Sequence, residues 1–180
     1  MKIYVIRHGE TGAGKRNVIA NIYEPLNMNG INQAVKVGKK IQKLNLNIVF
    51  CSPIERARHT LELLNLDKSI PVIIEDRLKE RDMGIYENMP FTDLQWDLFW
   101  NYNSETRYPE LESMKEVYLR VENFLDEIKE KYKDKSILLV THGGVSRAIY
   151  WYFYGIPDDG KATNVNKNCK LYEYKLKTIK

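Results

Sequence analysis

Apolar residues along this chain fall into short runs that alternate with stretches of helical spacing. Runs rich in Val, Ile, Leu, Tyr and Phe predict five strands, at residues 2–7, 47–51, 71–75, 136–141 and 171–176. Segments between them, such as residues 28–44, place apolar residues three or four positions apart, which predicts helices. The alternation predicts an α/β fold: a three-layer α/β/α sandwich with a mostly parallel sheet and one antiparallel edge strand.

Local signals indicate where the helices begin. Ser52 and Glu55 predict a capping box directly after the second strand, and Ser113 with Glu116 predicts another before a long apolar stripe. Residues 92–103 also have a helical pattern with several aromatic side chains. After the first strand, about twenty residues rich in Gly and Asn predict a loop, and a loop of this length in a compact domain is usually functional.

Two of the predicted strands end next to a histidine. Arg7-His8 ends the first strand, and His142-Gly143 follows the strand at 136–141. Parallel strands bring their carboxyl ends to one edge of the sheet, where α/β folds bind ligands. The helix predicted after His142 would offer free N–H groups to an anion, and Arg7 supplies a fixed positive charge. The pattern indicates a phosphate site with an imidazole nucleophile at His8.

Size and composition are those of an ordinary globular protein. The 180 residues predict a single domain over residues 1–180, with 43% hydrophobic content for its core. The net charge of +4, spread along the chain, fits a small anionic substrate and does not indicate nucleic acid. No apolar run has the length of a membrane span, and the two cysteines show no pairing pattern. We expect a cytoplasmic protein that binds neither nucleic acid nor a membrane; the pattern favours no oligomeric state.

Four short motifs follow one another along the chain. They lie at residues 7–11 (Arg-His-Gly-Glu-Thr), 52–60, 78–84 and 141–144 (Thr-His-Gly-Gly). Together the four resemble the motifs of the histidine phosphatase superfamily, the phosphoglycerate-mutase-like enzymes. Each motif alone is a weak signal, whereas all four in this order cover most of the chain and are specific.

The resemblance implies a role for particular residues. It identifies His8 as the nucleophile, Glu80 as the general acid and base, and Arg7, Arg56 and His142 as the groups that hold the phosphoryl oxygens. It implies no metal and no other cofactor. The family often has an Asn where this chain has Gly14, and Asn17 could replace it. The phosphate-binding residues expected in addition are Gly143, Thr11 and Asn17.

The implied activity is hydrolysis of a small-molecule phosphate ester. The family's mutases generally carry a longer basic insertion after the acid motif, whereas Arg107 is the sole basic residue between positions 82 and 114. This favours a phosphatase over the alternative, a cofactor-dependent phosphoglycerate mutase. The chain also resembles α-ribazole phosphatases, and the aromatic segment 96–108 could cover a ring-bearing substrate or belong to the core. The sequence leaves α-ribazole phosphate and other small phosphate esters open.

Other chemistries fit the sequence less well. Residues 9–15 match the nucleotide-binding P-loop pattern, but Arg16 follows where Ser or Thr would bind magnesium. Ala57 stands where a cysteine phosphatase with nucleophile Cys51 would need an arginine, so a buried thiol is expected. The histidines and cysteines lack zinc-ligand spacing. A non-catalytic phosphate-binding module stays open, and replacement of His8 separates it from an enzyme.

Overall fold

A five-stranded sheet forms the centre of the protein, in a computed structural model that describes residues 1–93, 95–104, 110–162 and 164–175. The strands are β1 (Lys2–Arg7), β2 (Ile48–Cys51), β3 (Val72–Ile74), β4 (Ser136–Thr141) and β5 (Tyr172–Lys175). Their order is β3-β2-β4-β1-β5; the first four are parallel, and β5 pairs antiparallel with β1 at the edge. The predicted fold class is confirmed. Leu176, at the end of the last predicted strand, lies outside the described residues.

Helices cover both faces of the sheet. They are α1 (Gly12–Arg16), α2 (Met28–Ile41), α3 (Glu55–Leu63), α4 (Trp96–Phe99), α5 (Met114–Lys131) and α6 (Gly143–Tyr154). Single 3-10 turns lie at Asp76–Leu78, Gly84–Tyr86 and Phe91–Asp93. Helices α2 and α3 pack together on one face, and α5 and α6 pack together on the other. Within the described ranges, no helix combines the length and the apolar character of a membrane span.

Alternate residues of the central strands divide the core in two. In β1, Ile3 and Val5 pack into the cluster beneath α5 and α6, whereas Tyr4 and Ile6 pack into the cluster beneath α2 and α3. A strand that is buried on both faces needs apolar residues at every position, which explains the uninterrupted runs in the sequence. The same burial fixes the strand ends, so the residues that follow them are held in place.

One of the two predicted capping boxes is confirmed and the other is wrong. The Ser113 hydroxyl accepts from the Glu116 N–H while the Glu116 side chain accepts from the Ser113 N–H, as predicted. Helix α3 instead begins at Glu55 with Ile54 as its N-cap. The Ser52 hydroxyl accepts from the Ile54 N–H in a turn and contacts His142, so it is not free to cap the helix.

Two further predictions are corrected between the strands. Of the helix predicted over residues 92–103, the described residues form α4 and the end of the 3-10 turn Phe91–Asp93, and the Arg81 side chain donates to the Phe99 carbonyl that a longer helix would use. The side chain of Trp96, together with Arg107 and Tyr108, lies outside the described residues. The loop predicted after β1 contains the short helix α1, which ends where Asn17 adopts a left-handed φ of 53°.

Candidate active site

The carboxyl ends of β1 and β4 bring two buried histidines together. Their register pairs Arg7 with Thr141, so His8 and His142 follow the last residues of adjacent strands. The backbone N–H of His8 donates to the backbone carbonyl of Thr141 at 2.9 Å. The centroids of the two imidazole rings are 5.1 Å apart. The expected convergence of these histidines is therefore a direct result of the strand order.

His8 is held as a neutral imidazole whose one in-plane lone pair, on Nε2, is directed toward Arg56. Its Nδ1 lies 2.7 Å from the Gly9 carbonyl, which can only accept, so Nδ1 carries the proton. Its Nε2 therefore accepts, and the Arg56 Nε donates to it at 3.2 Å. Burial, followed by the charges of Arg56 and Arg7, holds the pKa of His8 well below its ordinary 6.5. The side chain is thus unprotonated and nucleophilic at neutral pH.

The backbone around His8 is fixed by the helices that pack against it. The Gly9 N–H donates to the Thr60 hydroxyl at 3.0 Å, and the Asn168 side chain donates to the His8 carbonyl at 2.7 Å. A Cβ atom at Gly9 would lie 2.5 Å from the Gly30 carbonyl oxygen, so the loop and α2 approach closely enough to require glycine here. These contacts set the position of the imidazole before any ligand binds.

Two arginines place positive charge beside His8. The Arg56 side chain is 2% exposed and donates from Nη1 to the Asn21 carbonyl at 2.8 Å. The Nε–H of Arg7 is buried and has no hydrogen-bond partner in the described part of the chain. A buried donor without a partner is costly, and an anion beside His8 would satisfy it. Both arginines that were expected to hold the phosphoryl oxygens therefore line the same cavity as His8.

His142 is oriented by Ser52, a residue that the sequence assigned to a helix cap. The His142 Nε2 and the Ser52 Oγ are 2.7 Å apart, and the Ile54 N–H also donates to that oxygen. The Ser52 hydroxyl has His142 Nε2 as the acceptor for its proton, so Nε2 accepts this hydrogen bond. The proton of the neutral His142 ring is therefore on Nδ1. This Nδ1 is buried and has no partner among the described residues. It is a second unsatisfied donor near His8.

Glu80 occupies the N-terminus of α6. Its Oε2 accepts from the Gly143 N–H at 3.0 Å, and its Oε1 accepts from the Gly144 N–H at 2.9 Å. A Cβ atom at Gly144 would lie 2.6 Å from Oε1, so only glycine lets the carboxylate approach this closely. The expectation that Gly143 offers a free N–H to phosphate is corrected: Glu80 takes that N–H, because a carboxylate also favours a helix N-terminus.

The remaining expected phosphate ligands differ in position. Thr11 is buried and lines the same cavity as His8. Asn17 is exposed at the end of α1 and is not among the described residues that line this cavity, whereas Gly14 is. The structure therefore does not place Asn17 in the wall of this cavity.

Two openings have Glu80 in their walls. We call the first the inner cavity; it has a volume of about 240 Å³, and its walls include Arg7, His8, Arg56, Glu80, Trp100 and Arg147. We call the second the outer groove; it has a volume of about 590 Å³, and its walls include Ile22, Tyr23, Ile54, Lys79, Glu80 and Glu87. Arg56 and Glu80 line both openings. These two side chains therefore lie at the boundary between the inner cavity and the outer groove.

Other side chains that could act as an acid or a nucleophile do not take part in this site. Glu10 accepts from Asn27 and Asn29, and Glu112 pairs with Arg120. Burial raises the pKa of the Cys51 thiol to about 12, which leaves it un-ionised and unsuited to attack. The short helix α1 begins at Gly12, inside the P-loop pattern, whereas a P-loop helix follows the Lys. Within the described ranges, no three His, Cys, Asp or Glu side chains are grouped to hold a metal ion.

Comparisons with known proteins point to one family. The family model described as "Histidine phosphatase superfamily (branch 1)" matches residues 3–178. The uncharacterized phosphatase PhoE of Bacillus subtilis (strain 168) is 28% identical, over 93% of this chain and 84% of its own length. The adenosylcobalamin/alpha-ribazole phosphatase of Escherichia coli (strain K12) is 30% identical, over 87% of this chain and 81% of its own.

Two further relatives show the range of names that accompany this fold. The probable phosphoglycerate mutase GpmB of Yersinia pestis (strain Pestoides F) is 28% identical, over 95% of this chain and 83% of its own. The crystal structure of the alpha-ribazole phosphatase from Shigella flexneri superposes with a TM-score of 0.84 at 27% identity, covering 98% of this chain and 91% of that one.

Proposed function

Because the chain belongs to the histidine phosphatase superfamily, we propose that it is a metal-independent phosphomonoesterase that works through a phosphohistidine at His8. The family and the phosphatase names of its relatives support phosphatase activity. The observation that carries the mechanism is the convergence of a neutral imidazole with two unsatisfied buried donors, Arg7 Nε–H and His142 Nδ1–H.

In the first step, the His8 Nε2 lone pair attacks phosphorus and the bond between phosphorus and the ester oxygen breaks. Arg7, Arg56 and His142 stabilise the charge on the phosphoryl oxygens. Glu80, in its protonated form, gives its proton to the departing alkoxide, which is otherwise a poor leaving group. The Gly9 carbonyl keeps the proton on Nδ1, so the ring stays in the reactive tautomer throughout.

In the second step, water replaces the alcohol. The Glu80 carboxylate takes a proton from the water, the water oxygen attacks phosphorus, and the bond between phosphorus and Nε2 breaks. Inorganic phosphate leaves, and both His8 and Glu80 return to their starting forms. Glu80 lines the outer groove as well as the inner cavity, and in this proposal water approaches the intermediate from the groove.

Two kinds of substrate have support. The names of the Escherichia coli relative and the Shigella flexneri structure support α-ribazole phosphate, whose ring-bearing part would lie in the outer groove. The small volume of the inner cavity supports a compact ester instead, since typical pockets for drug-sized ligands have about 300–1,000 Å³. In both cases the partner is a small-molecule phosphate ester.

The test combines turnover with trapping of the intermediate. We expect the protein to hydrolyse p-nitrophenyl phosphate in excess EDTA, and an alkaline quench to preserve one phosphoryl group on a peptide that contains His8. His8→Ala should abolish both signals. The matched control is His59→Ala, on α3 and outside both openings, which should retain both. A strict magnesium requirement, or a phosphoryl group on another residue, would contradict the proposal.

A further inference from the structure

A third opening lies between α2 and the segment before β5. It has a volume of about 500 Å³ and is lined by one face of α2, from Gln33 to Lys40, and by residues 168–171. We call it the basic groove, because the charged residues that line it are Lys36, Lys40 and Lys170. Among the described residues, none lines both this groove and the inner cavity or the outer groove. Its volume is in the range of about 300–1,000 Å³ that small-molecule sites have.

The positive charge of the basic groove is not balanced by the protein. In the ranges that the structure describes, no carboxylate pairs with Lys36, Lys40 or Lys170. The sequence also has no Asp or Glu at positions 25–54 or 160–172, the two stretches that supply the walls. Lys36 and Lys40 are four residues apart on one helix face, where like charges repel each other. An anion in the groove would remove this repulsion.

The floor of the basic groove is apolar. Val37 and Cys169 are buried, and Leu171 packs beside them against the core beneath α2 and α3. The ring of Tyr172 lies 5.3 Å from the Lys170 Nζ, a contact that does not neutralise the ammonium charge. A ligand for this groove therefore needs an organic part for the floor and a negatively charged part for the lysines.

Both walls of the basic groove are hydrogen-bonded to the backbone around the proposed nucleophile. On α2, the Gln33 Oε1 accepts from the Glu10 N–H at 3.0 Å. On the opposite wall, the Asn168 side chain donates to the His8 carbonyl at 2.7 Å. A ligand that joins the two walls would therefore hold this loop from both sides, although it lies outside the inner cavity.

The lysines indicate the class of anion. Lysine binds phosphate as a point charge and lacks the planar fork with which arginine binds a carboxylate. Because the second pKa of a phosphate monoester is about 6, an organic diphosphate has about three negative charges at neutral pH. This charge matches the three lysines, and the volume of the groove has room for an organic part as well. An extended acidic peptide would need a longer surface than this groove offers.

We propose that the basic groove binds a soluble organic diphosphate, with its phosphates on Lys36, Lys40 and Lys170 and its organic part against Val37 and Leu171. The bound ligand connects α2 to the segment before β5 and steadies the loop that carries the nucleophile. This ligand is neither the substrate nor the product of the proposed reaction, so the site does not depend on the proposed function.

The experiment locates the ligand by nuclear magnetic resonance. The probe is α,β-methylene-ADP, whose bridge between the phosphates resists hydrolysis, added to the ¹⁵N-labelled protein in EDTA. We expect the amide resonances of residues 33–40 and 167–171 to shift, and solvent exchange of the Glu10 N–H to slow by about threefold or more, because its acceptor Gln33 is held. Adenosine should cause neither effect. Shifts confined to the inner cavity, or equal shifts with adenosine, would overturn the proposal.

Replacing the lysines tests the contacts with the phosphates. The combined change Lys36→Gln, Lys40→Gln and Lys170→Gln should weaken binding by about tenfold or more, because three charged contacts are lost. The free energy of unfolding should not decrease, since the repulsion between Lys36 and Lys40 is also removed. Turnover of p-nitrophenyl phosphate should stay within about twofold of the wild-type value. Unchanged affinity in this variant would overturn the site.

Two comparisons exclude a general response to charge. The matched control replaces three exposed lysines of α5 in the same way, as Lys115→Gln, Lys129→Gln and Lys131→Gln, and should leave the affinity unchanged. Equal weakening in the control would show that the ligand responds only to net charge, and would overturn the site. Binding to vesicles that contain phosphatidylserine, without binding of the soluble probe, would assign the groove to a membrane surface and would also overturn it.

A further variant separates binding from the link to the loop. Gln33→Ala leaves the three lysines in place, so we expect the affinity for α,β-methylene-ADP to stay within about threefold of the wild-type value. The Glu10 N–H has lost its acceptor on α2 in this variant, so the ligand should no longer slow its exchange. Slowing of the same size as in the wild-type protein would overturn the link between the groove and the loop.

Discussion

The inner cavity and the outer groove share Arg56 and Glu80 but are built from different parts of the fold. In the inner cavity, His8 lies at the end of a buried strand and Arg56 lies on α3; both are almost fully buried, although loop residues complete the wall. The groove is formed mostly by irregular segments, with Tyr23 82% exposed and Ile22 48% exposed. This difference indicates that the buried strands and helices fix the reacting groups, whereas the outer groove is lined by loops, which tolerate sequence change.

Replacing Glu80, which lies at the boundary between the two regions, should cause the largest loss of turnover. Glu80→Gln keeps the size of the side chain and loses the transferable proton, so we expect kcat for an alkyl phosphate to fall by about 10²- to 10⁴-fold. The loss should be smaller in the first step with p-nitrophenyl phosphate, because p-nitrophenolate leaves without a proton. Rapid-quench measurement of the phosphohistidine checks this; equal losses in the first step with both esters would contradict the role of Glu80.

Replacing Ser52 tests whether the inner cavity depends on the orientation of its second histidine. Ser52→Ala leaves the His142 Nε2 without its hydroxyl partner. We expect kcat to fall about tenfold and KM to change little, because one hydrogen bond from His142 to the phosphoryl group is weakened. Ser146→Ala is the matched control, since Ser146 is equally buried but bonds to the Gly143 carbonyl and the Asn166 N–H. Both variants should lose stability, whereas only Ser52→Ala should lose turnover. Similar kcat values for the two variants would contradict the role of Ser52.

The buried histidines should make the stability of the inner cavity depend on pH. The pKa of His8 is lowered in the folded protein by burial and by Arg56 and Arg7, whereas in the unfolded chain it returns to its ordinary value near 6.5. Below that value the unfolded state binds more protons, so the free energy of unfolding is fully present above about pH 6.5 and falls as the pH decreases. Between about pH 6.5 and pH 5.5 the loss should be about 1 kcal/mol for each such histidine.

Urea unfolding of the wild-type protein and of His8→Gln at several pH values measures this contribution. The variant should show a shallower decrease of the unfolding free energy with falling pH, because one of the two buried imidazoles is gone. The pKa of His142 is also lowered, first by burial and second by the charge of Arg56. His142 should therefore account for the pH dependence of the unfolding free energy that remains in His8→Gln. An unchanged slope in His8→Gln would show that His8 is not buried as a neutral group.

A change in the outer groove should have the smallest effect and should depend on the substrate. Tyr23→Ala removes an exposed aromatic side chain, so we expect kcat/KM for a compact ester to stay within about twofold of the wild-type value. A ring-bearing ester such as 1-naphthyl phosphate should show a larger decrease, because its ring would lie against the groove wall. Steady-state kinetics with both esters checks this; a large loss with the compact ester would remove the distinction between the two regions.

The sequence predicted the parts of the site that depend on local order along the chain. Uninterrupted apolar runs located β1 and β4, and the residues directly after them are His8 and His142. The pairing of β1 with β4 was supported only by the family resemblance, because an apolar sequence does not determine which strands are neighbours in a sheet. The capping box before α5 was also predictable, since both of its partners lie within one helical turn.

The parts that the sequence missed depend on contacts between distant elements. Ser52 has the local pattern of a helix cap. Because β2 and β4 are neighbours in the sheet, however, its hydroxyl lies within hydrogen-bond distance of His142. The Gly143 N–H has the local pattern of a free phosphate ligand, yet Glu80 reaches it from a segment 63 residues earlier. Arg147 has the spacing of an ordinary helix residue, and only its burial beside His8 distinguishes it.

The carboxylate on the first amides of α6 also bears on how the enzyme finishes its cycle. A phosphate ion that arrives at this helix end meets amides whose hydrogen bonds are already taken by a tethered side chain. Under the proposed mechanism, free inorganic phosphate would therefore be retained less strongly than at an unoccupied helix end, since these donors are already satisfied. The same glycines that admit Glu80 would thus limit product inhibition.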